Sequence, residues 1–482
     1  MRRSAEGAAS VASAGTSALF AARLFLLASG LVVSILLARG LGPADFGLYG
    51  LAITLLTWVQ LLIGWSMPGA VARLAPHHAR DPRIAGTALV LLAAAATLGY
   101  ALVWWVAPRA AAALARPELT WVLRLLFLDL FFTAAMAVYH GLFYADGRVG
   151  WVGVTLIVQS GVKLALIAGL LVFGLDLERV ILAHLAGSLA ALALVATRVA
   201  PPRPAFVPGF ARALCAGSLG LLGYTLAYQF QANAGIWWTA ALWPERPDAT
   251  GAFAAAQTVT RVLTVVQSAL SAVLFARVAD AVARAAAAEA RAEIATALRY
   301  ALILLLPAVA ALWASAGAVV ELLYGEAYAE AASILRWLAL GGLGAGLLDI
   351  LAHGLMGGFG LWRGVVVAAV VVPAALLSGI VLVPLLGPAG VAAALAVGTL
   401  AATALAAVWV VRRVGAVLPW ASLARTAAAS GVLYAVLAGW SVPPALLVPQ
   451  FALAGAGYLV LLWLLREVDG RDLALLTGKG GP

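Results

Sequence analysis

Long apolar stretches separated by short polar segments run along almost the entire chain. Runs of about 20 apolar residues recur from Thr16 to Leu465, and this is the length a helix needs to cross the hydrocarbon core of a bilayer. The pattern predicts about fourteen transmembrane helices. We place them at residues 15–38, 46–69, 84–107, 122–144, 152–175, 180–198, 213–238, 251–275, 298–320, 334–356, 364–385, 389–411, 425–441 and 446–465.

Composition agrees with this pattern. Hydrophobic residues make up 65% of the 482 positions and charged residues only 10%, whereas soluble domains carry about 25% charged residues. We therefore predict an all-α polytopic membrane protein. The single cysteine, Cys215, excludes an internal disulfide. The sequence contains no glycine-rich phosphate loop, and His77-His78 has no further ligand cluster, so we expect neither a cofactor nor a metal.

The distribution of basic residues predicts the orientation. Most of the 30 Lys and Arg residues fall in one set of alternate loops. By the positive-inside rule these loops and both termini are cytoplasmic, in a multi-pass membrane protein. The net charge of +10 then reflects topology and contact with membrane lipids, and we expect no nucleic-acid partner.

Three short segments recur in the same order at similar offsets, which indicates an internal duplication. The pairs are Gly47–Ala52 with Gly251–Ala256, Val122–Leu126 with Ile334–Leu338, and His140–Leu142 with His353–Leu355. With six helices in each copy, the repeats are parallel, as in many transporters. We predict an N-lobe at residues 1–212, a C-lobe at 213–424, and two further helices with a cytoplasmic tail at 425–482.

The connector Arg39–Gly47, between the first two spans, lies in a segment that resembles a known protein family. Gly and Pro in this segment suit a tight turn followed by the first turn of a helix. The longer segment Leu36–Tyr49 resembles the first hairpin of the oligosaccharide flippases. These form the polysaccharide-biosynthesis branch of the multidrug/oligosaccharidyl-lipid/polysaccharide exporter superfamily. Leu322–Ala332 and Leu386–Ala394 resemble two further segments of that family, although Ala276 stands where relatives usually have proline.

The resemblance implies a function as well as a fold. Members of this family are two-lobed, with twelve to fourteen helices, and move lipid-linked oligosaccharides from the cytoplasmic to the outer leaflet by alternating access. For this chain it implies a lipid-linked oligosaccharide substrate and a role that is not enzymatic. It also implies a location in the bacterial inner membrane, with glycosyltransferases and a polymerase of a glycan-assembly pathway as partners.

Charged residues inside the predicted spans are the candidates for function, because an unpaired charge in hydrocarbon costs several kcal/mol. Arg23, Lys163 and Arg261 lie in spans one, five and eight, and Asp129 and Asp349 lie in spans four and ten. Basic side chains suit the diphosphate of a lipid-linked sugar, so we predict that the three cations bind substrate. Alternatively, the two aspartates neutralise these cations as structural pairs between helices.

Polar uncharged residues extend the candidate site. Gln60, Gln229 and Asn233 can bind sugar hydroxyls or simply connect helices. Asp349 and His353 are four residues apart and therefore share a helix face. This pair, like Asp129 with His140 on its own stripe, suits either proton coupling or an ordinary polar contact.

Two further predictions concern aromatic and amphipathic segments. Most tryptophans, including Trp104-Trp105 and Trp237-Trp238, suit belts at the membrane interface. Trp58 and Trp65 are exceptions that can stack on sugars. The polar stretch Arg277–Arg299 predicts an amphipathic helix on the cytoplasmic surface.

Three alternatives to a flippase stay open. A cation-coupled multidrug antiporter shares the superfamily fold, but it favours an acidic cavity, whereas the intramembrane charges here are mainly basic. A membrane glycan polymerase or ligase needs a large outer loop, and the outer loops here are short. An inert scaffold of a glycan-assembly complex is the third.

Overall fold

The structure is a computed structural model that describes residues 2–64, 67–77, 81–219, 222–415, 417–440 and 442–468. Its regular structure within those ranges is helical. The α-helices are α1 Arg2–Gly64, α2 Met67–His77, α3 Pro82–Ala113, α4 Leu119–Leu126, α5 Asp129–Ala145, α6 Val149–Phe173, α7 Leu177–Ala196, α8 Pro208–Leu219, α9 Leu222–Leu242, α10 Pro247–Ala283, α11 Ala287–Tyr324, α12 Ala331–Phe359, α13 Leu361–Ala369, α14 Val371–Leu386, α15 Pro388–Val414, α16 Trp420–Gly439 and α17 Leu447–Leu464.

The predicted class, an all-α polytopic membrane protein, is confirmed. Among the described residues, eleven helical segments are long and apolar enough to cross a membrane. One of them, Ala21–Pro76, contains most of the first predicted span and the whole of the second. The total of about fourteen spans stays a prediction.

The chain divides into two compact units, Met1–Ala254 and Ala255–Pro482. The boundary falls inside α10. The first unit thus contains the whole predicted N-lobe together with α8, α9 and the first turns of α10. The predicted lobe boundary after residue 212 rests on the sequence repeat and stays a prediction.

The connector Arg39–Gly47 interrupts α1 at a single residue. Gly42 has φ 78° and ψ 171°, which is incompatible with a helix. Glycine reaches this positive φ without steric cost, and Pro43 then pre-sets the backbone angle of the following helical turn. The helix therefore breaks where the sequence predicts a turn between the first two spans.

Two glycines that the repeat relates to each other meet inside the first unit. A β-carbon built on Gly47 would lie 2.5 Å from the backbone nitrogen of Gly251. A β-carbon on Gly251 would collide with the carbonyl oxygen of Pro43, and one on Gly50 would lie 3.0 Å from the methyl group of Ala254. Small residues allow helix backbones to approach this closely in membrane proteins. The segment after Pro43 and the start of α10 thus pack backbone against backbone.

The second unit is built around α10, α11, α12 and α15, which share one core of buried aliphatic side chains. The last two helices are attached to α11 by a buried carboxylate. Glu467 is 2% exposed. Its oxygens lie 2.9 Å from Arg299 Nε and 3.2 Å from Arg425 Nη1. The hydroxyl of Tyr458 also donates to the carbonyl oxygen of Ile303 at 2.9 Å.

The predicted amphipathic surface helix at Arg277–Arg299 is wrong. These residues belong to the last turns of α10 and the first turns of α11, and a short turn joins the two at Ala285, with φ 57°. Ion pairs hold the two helix ends together: Arg277 lies 3.2 Å from Glu293, and Arg284 lies 2.8 Å from Asp280 and 3.0 Å from Glu289. The charged side chains that suggested a surface helix form these ion pairs instead.

The glycine contact gives a stability prediction. Alanine favours a helix over glycine by about 1 kcal/mol, so Gly169→Ala, on α6 with nothing within 4 Å of its β-carbon, should leave thermal stability unchanged or higher. Gly251→Ala should instead lower the unfolding temperature, because overpacking costs about 1–3 kcal/mol. Thermal unfolding of both purified variants tests this. If the two variants unfold at the same temperature, the backbones at Gly47 and Gly251 can move apart without loss of stability, and the prediction is wrong.

Candidate functional site

A buried polar cluster lies in the first unit, where α1, α5 and α7 meet. Asp129, the first residue of α5, is 1% exposed. Gln60 donates its amide hydrogen to Asp129 Oδ2 at 2.8 Å, and it also lies 3.3 Å from the hydroxyl of Thr133. His184 Nε2 lies 3.6 Å from the same carboxylate oxygen. Three helices thus place a carboxylate, an amide and an imidazole together.

Two atoms of this cluster have no hydrogen-bond partner among the described residues. They are Asp129 Oδ1 and His184 Nδ1, and both are buried. Buried polar atoms in folded proteins are normally paired, so these two atoms make the cluster a candidate functional site. A carboxylate beside an imidazole has the chemistry to gain and lose a proton.

His184 is the residue that our sequence interpretation missed. Asp129 and His140 both lie on α5, where the sequence predicts that they share a stripe, and His140 Nε2 lies 2.8 Å from the hydroxyl of Thr155 on α6. The signal was present, because His184 is a histidine inside the predicted span 180–198. Periodicity within one helix does not reveal a partner on another helix.

The predicted sugar-binding amides are already engaged within the first unit. The amide of Gln60 is bonded to Asp129. Asn233 is 4% exposed and donates to the backbone carbonyl of Gln229 at 2.8 Å, whereas the side chain of Gln229 itself is half-buried. A role for these three residues in substrate binding stays a prediction.

The cations of the first unit are more accessible than its carboxylate. Arg23 is exposed on α1, and Lys163 is half-buried on α6. The carboxylate of Asp129 contacts Gln60 and His184. Substrate binding by Arg23 and Lys163, and its structural alternative, stay predictions.

The second unit contains a similar acid–histidine pair. Asp349 is 7% exposed. His353 Nδ1 lies 3.3 Å from its carboxylate and 2.8 Å from its backbone oxygen. The two side chains share a helix face, as their spacing predicts, and Phe275 packs edge-on against the imidazole at 6.2 Å. Arg261, on α10 of the same unit, is exposed.

An aromatic cluster joins α1 to α9 in the first unit. The ring centroids of Trp58, Phe230 and Trp237 lie 5.6–5.9 Å apart, edge to face. Trp237 donates its indole N–H to Thr54 at 2.9 Å, so it belongs to this cluster rather than to an interface belt. Trp58 Nε1 is buried without a partner among the described residues. Trp65 lies outside the described residues.

A charge cluster lies outside the spans in the first unit. Arg116 stands between α3 and α4. Burial lowers the pKa of its guanidinium, while the carboxylates of Glu118, Asp248 and Asp45 act in the opposite direction. Asp45 and Asp248 stand near the two glycines that meet at Gly47 and Gly251. One cation thus lies within electrostatic reach of carboxylates from three separate segments, near the contact of Gly47 with Gly251.

Comparison with known proteins identifies the family. The sequence profile described as polysaccharide biosynthesis protein matches residues 36–333, which is more than half of the chain. The chain belongs to the polysaccharide biosynthesis protein family. No curated protein matches it.

Solved structures show the same fold. The lipid II flippase MurJ, in an inward closed conformation, aligns with a TM-score of 0.78 and 14% identity over 93% of this chain and 99% of that one. An inward-facing multidrug resistance MATE transporter aligns with a TM-score of 0.70 and 16% identity, over 82% of this chain and 95% of its own. At these identities the likeness establishes the architecture, and the substrate is a separate question.

The polar cluster around Asp129 gives a second stability prediction. Asp129→Asn keeps an acceptor oxygen for Gln60, whereas Asp129→Ala leaves this buried amide without its acceptor. An unsatisfied buried donor costs about 1–3 kcal/mol. The alanine variant should therefore unfold at a clearly lower temperature than the asparagine variant. Equal unfolding temperatures of the two variants would mean that the hydrogen bond from Gln60 to the side-chain oxygen of residue 129 does not contribute to stability.

Proposed function

We propose that this protein moves polyprenyl-diphosphate-linked oligosaccharide from the cytoplasmic to the outer leaflet of the inner membrane by alternating access of two lobes. Its family is named for polysaccharide biosynthesis, and its architecture is that of flippases and transporters. Lipid-linked sugars are built on the cytoplasmic face and used on the other, so a family of this kind needs a carrier for them.

The proposal rests mainly on the placement of charged residues in the first unit, where the carboxylate is buried and the cation is exposed. Asp129 is buried with Gln60 and His184, while Arg23 is exposed and has no ion-pair partner among the described residues. A cation retained inside a predicted span without a neutralising carboxylate suits an anionic ligand. A diphosphate carries the matching charge and accepts several hydrogen bonds from guanidinium and ammonium groups.

The same charges count against the multidrug antiporter. An antiporter for cationic drugs would present its carboxylates to the substrate. Asp129 and Asp349 are instead buried, each beside a histidine. We assign these acid–histidine pairs to proton coupling, in which a carboxylate–imidazole pair exchanges a proton as the lobes change conformation.

The test replaces each proposed substrate cation in cells that depend on this protein for glycan export. Arg23→Ala, Lys163→Ala and Arg261→Ala each remove one charged hydrogen-bond donor, worth about 1.5–3 kcal/mol. Export should fall roughly 10- to 100-fold, while the amount of protein in the membrane stays at the wild-type level.

Arg124→Ala is the matched control. Arg124 also lies within a predicted span, but it stacks on the ring of Trp104 at 4.0 Å and donates to the carbonyl oxygen of the same residue. Its removal should leave export unchanged. Normal export by all three test variants would refute the cationic substrate site.

A further inference from the structure

The second unit contains a cavity with a strongly basic wall. Its volume is about 470 Å³, and it is lined by Leu355, Trp362, Arg363, Trp409, Arg412 and Arg413. None of these residues belongs to the candidate site described above. All three arginines fall in loops or helix ends that the sequence predicts to be cytoplasmic.

Two glycine turns build the cavity wall. Gly360, with φ 106°, separates α12 from α13 and places Trp362 and Arg363 in the first turn of α13. Gly415, with φ 89°, ends α15 directly after Arg412 and Arg413. The positive φ angles suit glycine, and the end of α15 suits cations because the helix dipole is negative there.

Among the described residues, no acidic side chain lies within ion-pair distance of Arg363, Arg412 or Arg413. The guanidinium group of Arg363 stacks on the ring of Trp362 at 4.8 Å. Three like charges around one cavity repel each other, so an anion between them is stabilised by all three.

Apolar helix faces continue from this basic wall. On α13, Trp362 is 57% exposed, and Val366, one turn further on, is also exposed. On α15, Val411 and Val408 are exposed in the turn before the arginines. Trp362 and Trp409 meet edge to face at 6.0 Å. Tryptophan favours the boundary between headgroups and acyl chains. The surroundings therefore suit a ligand with an anionic head and an apolar tail.

We propose that this cavity binds the phosphate of an anionic glycerophospholipid from the cytoplasmic leaflet. The guanidinium groups of Arg363, Arg412 and Arg413 donate to the phosphate oxygens, since arginine forms paired hydrogen bonds with phosphate. The acyl chains lie along the exposed faces of α13 and α15. Basic pockets between membrane helices on this side are suited to anionic headgroups. The proposal does not depend on which substrate the protein transports.

The sequence repeat supplies a comparison within the chain. Arg148 and Arg198 occupy the corresponding helix ends in the first unit, at the start of α6 and just after α7. Both stack on the single indole of Trp151, with Cζ atoms 5.8 Å and 4.7 Å from the ring. There the cations contact an aromatic ring, whereas Arg412 and Arg413 face a cavity.

The experiment measures lipid retention by the purified full-length protein with native mass spectrometry. Phosphatidylglycerol and phosphatidylcholine with identical chains are offered at equal concentration. Wild type should retain phosphatidylglycerol preferentially. Arg412→Gln combined with Arg413→Gln should lower its occupancy about tenfold or more, because two charged hydrogen-bond donors are lost. Arg148→Gln combined with Arg198→Gln removes the same charge and should retain the lipid as wild type does.

Equal loss in both double variants would overturn the proposal, because binding would then depend on net charge alone. Displacement of phosphatidylglycerol by millimolar inorganic phosphate, or preferential displacement by a short-chain polyprenyl diphosphate, would also overturn it. Arg363→Gln provides a second variant if the double substitution fails to fold. It should lower retention alone, and wild-type retention by this variant would contradict the assigned site.

Discussion

A charge or a polar group in the hydrocarbon of a bilayer is costly unless it is paired or reaches water, and this constraint organises the chain. It limits charged residues to 10% of the sequence and requires a local reason for each one inside a span. Asp129 meets the constraint through Gln60 and His184, and Asp349 through His353. Arg23 is exposed instead. The proposed carrier function rests on this contrast between paired carboxylates and an exposed cation.

The closest helix contacts in the first unit depend on small residues, which allow two backbones to approach each other. The meeting of Gly47 with Gly251 is the clearest case. A contact between backbones without side chains between them can separate without breaking a large interface. Asp45, Arg116 and Asp248 stand close to this contact.

Much of the fold could be predicted from the sequence because hydrophobic length and glycine positions act locally. The break at Gly42, the four spans between residues 84 and 198, the six spans from 298–320 onward and the shared face of Asp349 and His353 follow from such rules. Contacts between helices could not be predicted in the same way. Three features depend on which helices are neighbours. They are the contact of Asp129 with His184, the hydrogen bond from Trp237 to Thr54, and the turn at Ala285 that joins α10 to α11. A single sequence does not contain that information in its periodicity.

The most direct test of the central claim is translocation in reconstituted vesicles. Purified protein is placed in liposomes with fluorescent polyprenyl-diphosphate oligosaccharides of defined structure, and transfer between leaflets is followed with and without a proton gradient. The account predicts transfer that requires the protein, is faster with the gradient, and loses its response to the gradient in Asp129→Asn. Wild-type protein that moves none of the lipid-linked oligosaccharides under either condition would contradict it.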